Sequence, residues 1–237
     1  MTDPSVDAVF DLLDRWRHLP AYQLERRADI YFALYLREVL QAELGVELDP
    51  RLIPELPIRR DLVFPETPSK QSVKVDYAAF ERGRDRVWFV ELKTDAGSRR
   101  ETQDTYLERA KALGFRAIAE GLRDILQATS AHQKYFHLAT AMADHGFFEL
   151  PDGLETYVYP KPRRGLTREL QKIRVLRDAA IEVVYVQPQS DGTKGAVDFA
   201  TFAHHVERHD DPLSRRFAQS LREWGTIDAG AVPPRGG

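Results

Sequence analysis

The sequence predicts an α/β protein, a four-stranded mixed sheet flanked by helices, with extra helices near both ends of the chain. Three observations carry that expectation. Val73 to Phe80 and Arg86 to Lys93 read as two strands joined at Arg82-Gly83-Arg84-Asp85, because Gly followed by any residue is the signature of a two-residue type II′ loop. Ile181 to Val186 is a β-branched run closed by Pro188. Segments of helical period lie between these strands and supply the right-handed crossover that a parallel pair needs.

The elements follow in order. A first helix is expected from Pro4, a favoured first-turn residue, to about His18, with Val6, Val9, Phe10 and Leu13 on one stripe. A longer helix covers Tyr22 to Leu44 and stops at Gly45. Pro50, Pro54 and Pro57 mark an extended linker, and Ile58 to Phe64 reads as a first strand. After the hairpin, Ser98-Arg99-Arg100-Glu101 has the form of a capping box and starts a helix at Arg99. Gln103 lies on the inward stripe of that helix with Tyr106 and Ala110.

A mostly helical tract spans Arg116 to His145. Tyr157 to Tyr159 is expected as a short strand, and Thr167 to Arg177 as a helix with Leu170, Ile173 and Leu176 inward. The strand Ile181 to Val186 should lie beside the Glu91 strand and parallel to it, followed by helices over Phe199 to Val206 and Pro212 to Trp224. In domain terms, a helical segment (1–49) packs on a core (50–227), and a Gly- and Pro-rich tail (228–237) is loose.

Counting outward from Gly83-Arg84 sets Asp76 opposite Glu91 and Lys74 opposite Lys93. The reverse face pairs Ala79 with Trp88, Tyr77 with Val90 and Val75 with Leu92, all apolar or aromatic. A one-residue slip would send Asp76 and Glu91 to opposite faces. Carboxylates that face each other across strands destabilise the sheet unless a positive charge lies between them. A hard divalent cation suits carboxylate oxygens, and Lys93 shares the face of Glu91. The competing reading is an ion-paired strand, with Glu91 and Lys93 as neighbours and Asp76 bridged to Lys93 or Lys74.

A strand Asp, a hairpin and Glu-x-Lys on the next strand resemble the PD-(D/E)xK nuclease superfamily, over about Glu55 to Leu113. The apolar lead-in to Glu91-Leu92-Lys93-Thr94-Asp95 and the following helix with Gln103 add to the likeness, while Val75 stands where the pattern has Pro. The resemblance implies the restriction-endonuclease-like fold. It also implies a nuclease hydrolysing phosphodiester bonds in nucleic acid, DNA ahead of RNA, with Mg²⁺ or Mn²⁺ as cofactor. Under it Asp76, Glu91 and the Leu92 carbonyl hold the metal, Lys93 positions the attacking water, and Gln103 belongs to the site. An upstream acid is implied too, for which Glu55, Glu38 and Glu43 are candidates. The alternative is a catalytically inactive nucleic-acid-binding or regulatory protein that keeps the fold.

Other patterns are less specific. Arg99 and Arg100 open the helix after the motif, where a helix N-terminus favours phosphate. Lys161, Arg163, Arg164, Arg168, Lys172, Arg174 and Arg177 face one local acid, Glu169, and suit a phosphate backbone or a solvated face equally. His205 and His209 are four apart, yet a zinc site needs a further ligand, so a polar helix end is the simpler reading.

The 237 residues are 43% apolar, enough for a sizeable core, and the net charge of −3 does not advertise nucleic-acid binding. The chain has no cysteine, which excludes disulfides and cysteine-ligated zinc. No apolar run approaches ~18 residues, so no membrane span is expected. Without a signal-type N-terminus, a cytoplasmic protein is expected.

Overall fold

A computed structural model describes residues 5–19, 22–67, 71–83, 85–94, 101–190 and 195–227. The first helix, α1 (Val6–Trp16), is capped by Ser5, whose Oγ accepts from the Ala8 N–H at 3.1 Å, so the helix begins after Ser5. The second, α2 (Leu24–Leu44), ends where Gly45 turns left-handed at φ 64°, a conformation glycine adopts without steric cost. Then come β1 (Ile53–Arg59), α3 (Arg60–Val63), β2 (Ser72–Phe80), β3 (Arg86–Leu92), α4 (Glu101–Leu113), α5 (Phe115–Ala128) and α6 (His132–Asp144). The chain continues through β4 (Phe148–Glu149), α7 (Leu154–Val158), α8 (Leu166–Leu170), β5 (Arg174–Val175), β6 (Ala180–Gln187), β7 (Ala196–Asp198), α9 (Phe199–Val206) and α10 (Pro212–Ile227). Asp198 and Asp211 cap the last two helices, accepting from the Thr201 and Ser214 N–H groups.

The main sheet is mixed, five-stranded and flanked by helices, in the order β1-β2-β3-β6-β7, and β4 pairs with β5 in a separate ribbon. β1 and β2 are antiparallel; β6 and β7 are parallel. Ala180 N–H donates to the Asp85 carbonyl at 2.9 Å and Lys93 N–H to the Val186 carbonyl at 2.8 Å, which sets β6 parallel to β3.

Four expectations are corrected. The first strand is not Ile58 to Phe64 but Ile53–Arg59, and the supposed linker prolines Pro54 and Pro57 lie inside it. They are tolerated because β1 is an edge strand, where a missing N–H breaks no central ladder. The sheet has a fifth strand, β7, too short to announce itself in sequence. Tyr157 to Tyr159 forms no strand: Leu154 and Val158 bury one face of α7, and packing overrides the β-propensity of Tyr-Val-Tyr. The helix expected to Arg177 ends at Leu170, and Arg174–Val175 pairs with β4 instead, leaving Leu176 exposed.

The chain divides into two compact units, with boundaries inside β3 between Phe89 and Val90 and inside β6 between Val183 and Val184. One unit contains α1, α2, the end of β3, and everything from Val184 onward in the described chain. Its core is aromatic: Phe32 lies 5.2 to 5.5 Å from the rings of Phe199, Phe202 and Phe217. Asp14 ties α1 to α10, accepting from Trp224 Nε1 at 2.7 Å and Arg216 at 2.7 Å.

The other unit contains Arg51–Phe89 and Glu101–Val183. Its core gathers Phe80, Phe89, Phe115 and Phe147, with Phe115 4.6 Å from Phe147 and Phe80 stacked on His145 at 3.8 Å. Helix α5 approaches so closely at Gly121 that an added Cβ would sit 2.6 Å from Leu62. The tail from residue 228 lies outside the described residues.

Candidate functional site

The hairpin sets the register of everything that follows. Gly83 has φ +68°, as a tight β-turn between twisted strands requires. Glu81 N–H donates to the Arg86 carbonyl at 3.1 Å, the pairing next outward from Arg82 and Asp85. The Glu81 carboxylate accepts from Arg86 at 3.3 Å and from Trp88 Nε1 at 3.4 Å, so these three side chains share one face. The two-residue Gly83-Arg84 loop expected is therefore corrected to a four-residue loop from Arg82 to Asp85: bonded and non-bonded pairs alternate along an antiparallel ladder, so the bonded Glu81–Arg86 pair closes the hairpin, and the Asp85 carbonyl accepts from Ala180 instead. That widening is symmetric and leaves the register unchanged. Arg84 lies outside the described residues.

Asp76 stands in β2 between buried Val75 and Tyr77 and is itself half-buried. On the edge strand, Pro54 pairs with Tyr77 and Leu56 with Val75, which brings Glu55 level with Asp76. Lys74 Nζ donates to Glu55 Oε2 at 2.5 Å, placing the Glu55 carboxylate on the face of Lys74 and Asp76. Glu55 has φ +51°, and among the described residues it is the one non-glycine with positive φ. A left-handed L-residue costs about 1–2 kcal/mol, so Glu55 is held there against a local penalty. Further along β1, the Arg59 guanidinium beside Asp61 holds that carboxyl below the usual aspartate range.

Glu91 and Lys93 lie at the other end of β3, with relative exposures of 1% and 3%. Lys93 Nζ donates to Glu91 Oε2 at 3.2 Å, and the two side chains share a face as alternation demands. Leu92, between them, is buried on the opposite face. The parallel register through Val186 aligns Glu91 with Tyr185 and Lys93 with Gln187, both buried polar residues on the same face. Sequence reasoning missed this pair of neighbours, since no local signal states which residue of a distant strand aligns with which. Burying two charges costs several kcal/mol each before their attraction is counted, so an apolar pair would serve stability at least as well.

The remaining candidates are spread more widely. Gln103 is half-buried on α4, whose Tyr106, Leu107 and Ala110 form the buried stripe expected of them. Tyr106 Oη donates to the Lys74 carbonyl at 2.9 Å and ties α4 to β2. Arg99, Arg100 and the capping Ser98 lie outside the described residues.

Glu43 and Glu38, the other upstream acids considered, bond to histidines of the C-terminal helical region: His205 Nε2 to Glu43 at 2.6 Å and His209 Nε2 to Glu38 at 2.9 Å. Among the described residues no three His, Asp or Glu side chains gather as a metal site, and His205 and His209 are bonded to carboxylates instead of converging. The basic run divides. Lys172, Arg174 and Arg177 pair with Glu169, Glu149 and Asp85, whereas Lys161, Arg163, Arg164 and Arg168 remain exposed.

No family model matches the chain, and neither does any curated protein or solved structure. The protein is thus defined by its own architecture, a mixed α/β fold with a five-stranded sheet. Among the described residues, no helix is long and apolar enough to cross a membrane.

Proposed function

We propose that this chain is a metal-dependent nuclease of the PD-(D/E)xK type, with the restriction-endonuclease-like fold and DNA ahead of RNA as its substrate. The observation that carries the reading is the buried Glu91–Lys93 pair on a strand whose hairpin closes through Glu81 and Arg86. In this reading, the same register continued along the two strands would set Asp76 against Glu91. A site of this kind explains why two costly charges are buried on one strand face.

In this reading Asp76, Glu91 and the Leu92 carbonyl are the oxygen donors for Mg²⁺ or Mn²⁺. The ion would polarise the phosphoryl group and lower the pKa of a bound water. The Lys93 ammonium, buried beside Glu91, would orient the attacking water and stabilise charge developing on the phosphoryl oxygens. Glu55 is the upstream acid, since its strained backbone keeps a carboxylate level with Asp76. Gln103 contributes from α4, Arg99 and Arg100 meet the phosphate backbone, and the enzyme works in the cytoplasm.

Calorimetric titration with Mn²⁺, followed by cleavage assays on DNA and RNA, tests the proposal. Metal binding lost in Asp76→Ala, with cleavage lost but metal binding kept in Lys93→Met, is the expected pattern. A folded wild-type protein that neither binds Mn²⁺ nor cleaves any substrate overturns it. Lys93 already neutralises the Glu91 carboxylate, and this ion pair favours one second reading, an inactive nucleic-acid-binding protein of the same fold. Wild-type binding of DNA without cleavage, undiminished in Asp76→Ala, selects that reading.

A further inference from the structure

The large hydrophobic side chains left exposed among the described residues concentrate near the N-terminus. Val9, Leu12, Trp16, Leu19, Ile30 and Leu34 fall in α1, α2 and the turn after α1, against only Leu113 and Leu176 elsewhere. Ile30 and Leu34 are the most exposed, at 60% and 59%. They do nothing for the core of their own unit, which α2 serves with Phe32, Leu36, Val39 and Leu40 on its opposite face. Contiguous exposed apolar surface, unlike single scattered residues, marks contact sites, and Ile30 and Leu34 adjoin along one ridge of α2.

The row containing them says what kind of contact. Ile30 and Leu34 are four apart, and one further step each way along the same ridge reaches Arg26 and Glu38. The ridge therefore reads cation, apolar, apolar, anion. Arg26 is exposed and has no partner among the described residues. Glu38 bonds His209 through one oxygen and leaves the other available.

A sequence of this kind is complementary to itself when reversed. With a two-fold axis between Ile30 and Leu34, Ile30 meets Leu34 of a second copy and Arg26 meets its Glu38. Ridges spaced four residues apart interdigitate in the commonest class of helix packing, and a two-fold contact is self-complementary by definition. A nucleic-acid backbone would not suit an apolar centre ended by a carboxylate.

We propose that the protein forms a two-fold homodimer in which the Arg26-Ile30-Leu34-Glu38 ridge of α2 packs antiparallel against the same ridge of a second copy. This inference does not depend on the nuclease reading.

Sedimentation of the full chain over a concentration series tests it. The wild type is expected to be dimeric, and Leu34→Glu is expected to weaken association about a hundredfold or more, because it forces a carboxylate into an apolar contact. A far-UV spectrum unchanged in Leu34→Glu separates lost association from lost folding. Arg26→Glu should weaken the dimer, and Arg26→Glu combined with Glu38→Arg should restore it. Since the chain has no cysteine, Leu34→Cys gives a second readout: a bifunctional maleimide should link two copies covalently. A wild type monomeric at every concentration, a dimer indifferent to Leu34→Glu, or a charge swap that fails to restore association would each overturn the proposal.

Discussion

In the middle of β3, Phe89 meets Phe115, whose ring also lies against Phe80 and Phe147. At the end of the same strand, Glu91 and Lys93 turn to one another in an equally buried setting. Three residues separate Phe89 from Lys93, yet the two stretches are held by different physics. The aromatic end is stabilised by apolar area removed from water and by ring geometry. The charged end gains attraction only after a desolvation penalty, so its net contribution to folding is small. That a strand which could have been apolar throughout is charged at one end is the observation on which the proposed chemistry rests.

The comparison breaks most sharply in activity. Asp76→Ala and Lys93→Met are each expected to reduce cleavage by about a thousandfold or more, roughly 4 kcal/mol in the barrier. Phe115→Ala should leave turnover intact well below its melting temperature, as single-turnover rates will establish. In stability the order reverses. Phe115→Ala should cost about 3–5 kcal/mol by urea unfolding, as expected for deletion of a ring from an aromatic core.

Lys93→Met alone should cost a similar amount, about 3–5 kcal/mol, because the buried Glu91 carboxylate loses the ammonium that it pairs with. Glu91→Leu with Lys93→Met should recover that loss and about 1–4 kcal/mol more while abolishing cleavage. A double variant as unstable as the single one would mean that the pair does hold the fold together.

Smaller effects sharpen the picture at the edge strand. Glu55→Gly relieves the positive φ and is expected to raise stability by about 1 kcal/mol while lowering cleavage. The smallest effect is a pH dependence. Arg59 depresses the Asp61 pKa, so the contribution of Asp61 is fully present above the ordinary aspartate value. It fades as pH falls through the depressed one. Asp61→Asn should therefore lower the urea midpoint at neutral pH and match the wild type in strong acid.

What could be read before the fold was in hand was what neighbours in sequence decide together. Gly45 closes α2 because only a residue without Cβ turns left-handed freely. Glu81 pairs with Arg86 as the count along the strands expects, because alternation is local, although the loop between them has four residues and not two. Ile181 to Val186, continuous and β-branched, lies parallel to β3 as a buried strand should. The misreadings have one cause. Pro54 and Pro57 look like linker residues until β1 is known to be an edge, and Tyr157-Val158-Tyr159 looks like a strand until Leu154 and Val158 are seen buried.

The sequence by itself determined the α/β class, the pairing of the hairpin strands, the face shared by Glu91 and Lys93, and the ends of α1, α2 and α9, because each depends on dihedral preference, side-chain period or capping within a few residues. Only the tertiary structure decided that Glu55 stands level with Asp76, that Tyr185 and Gln187 align with Glu91 and Lys93, and that Ile30 and Leu34 face water. Those facts depend on which distant strand lies alongside and which helix face is covered. No window of sequence encodes them, because they are fixed by the burial of the whole chain at once.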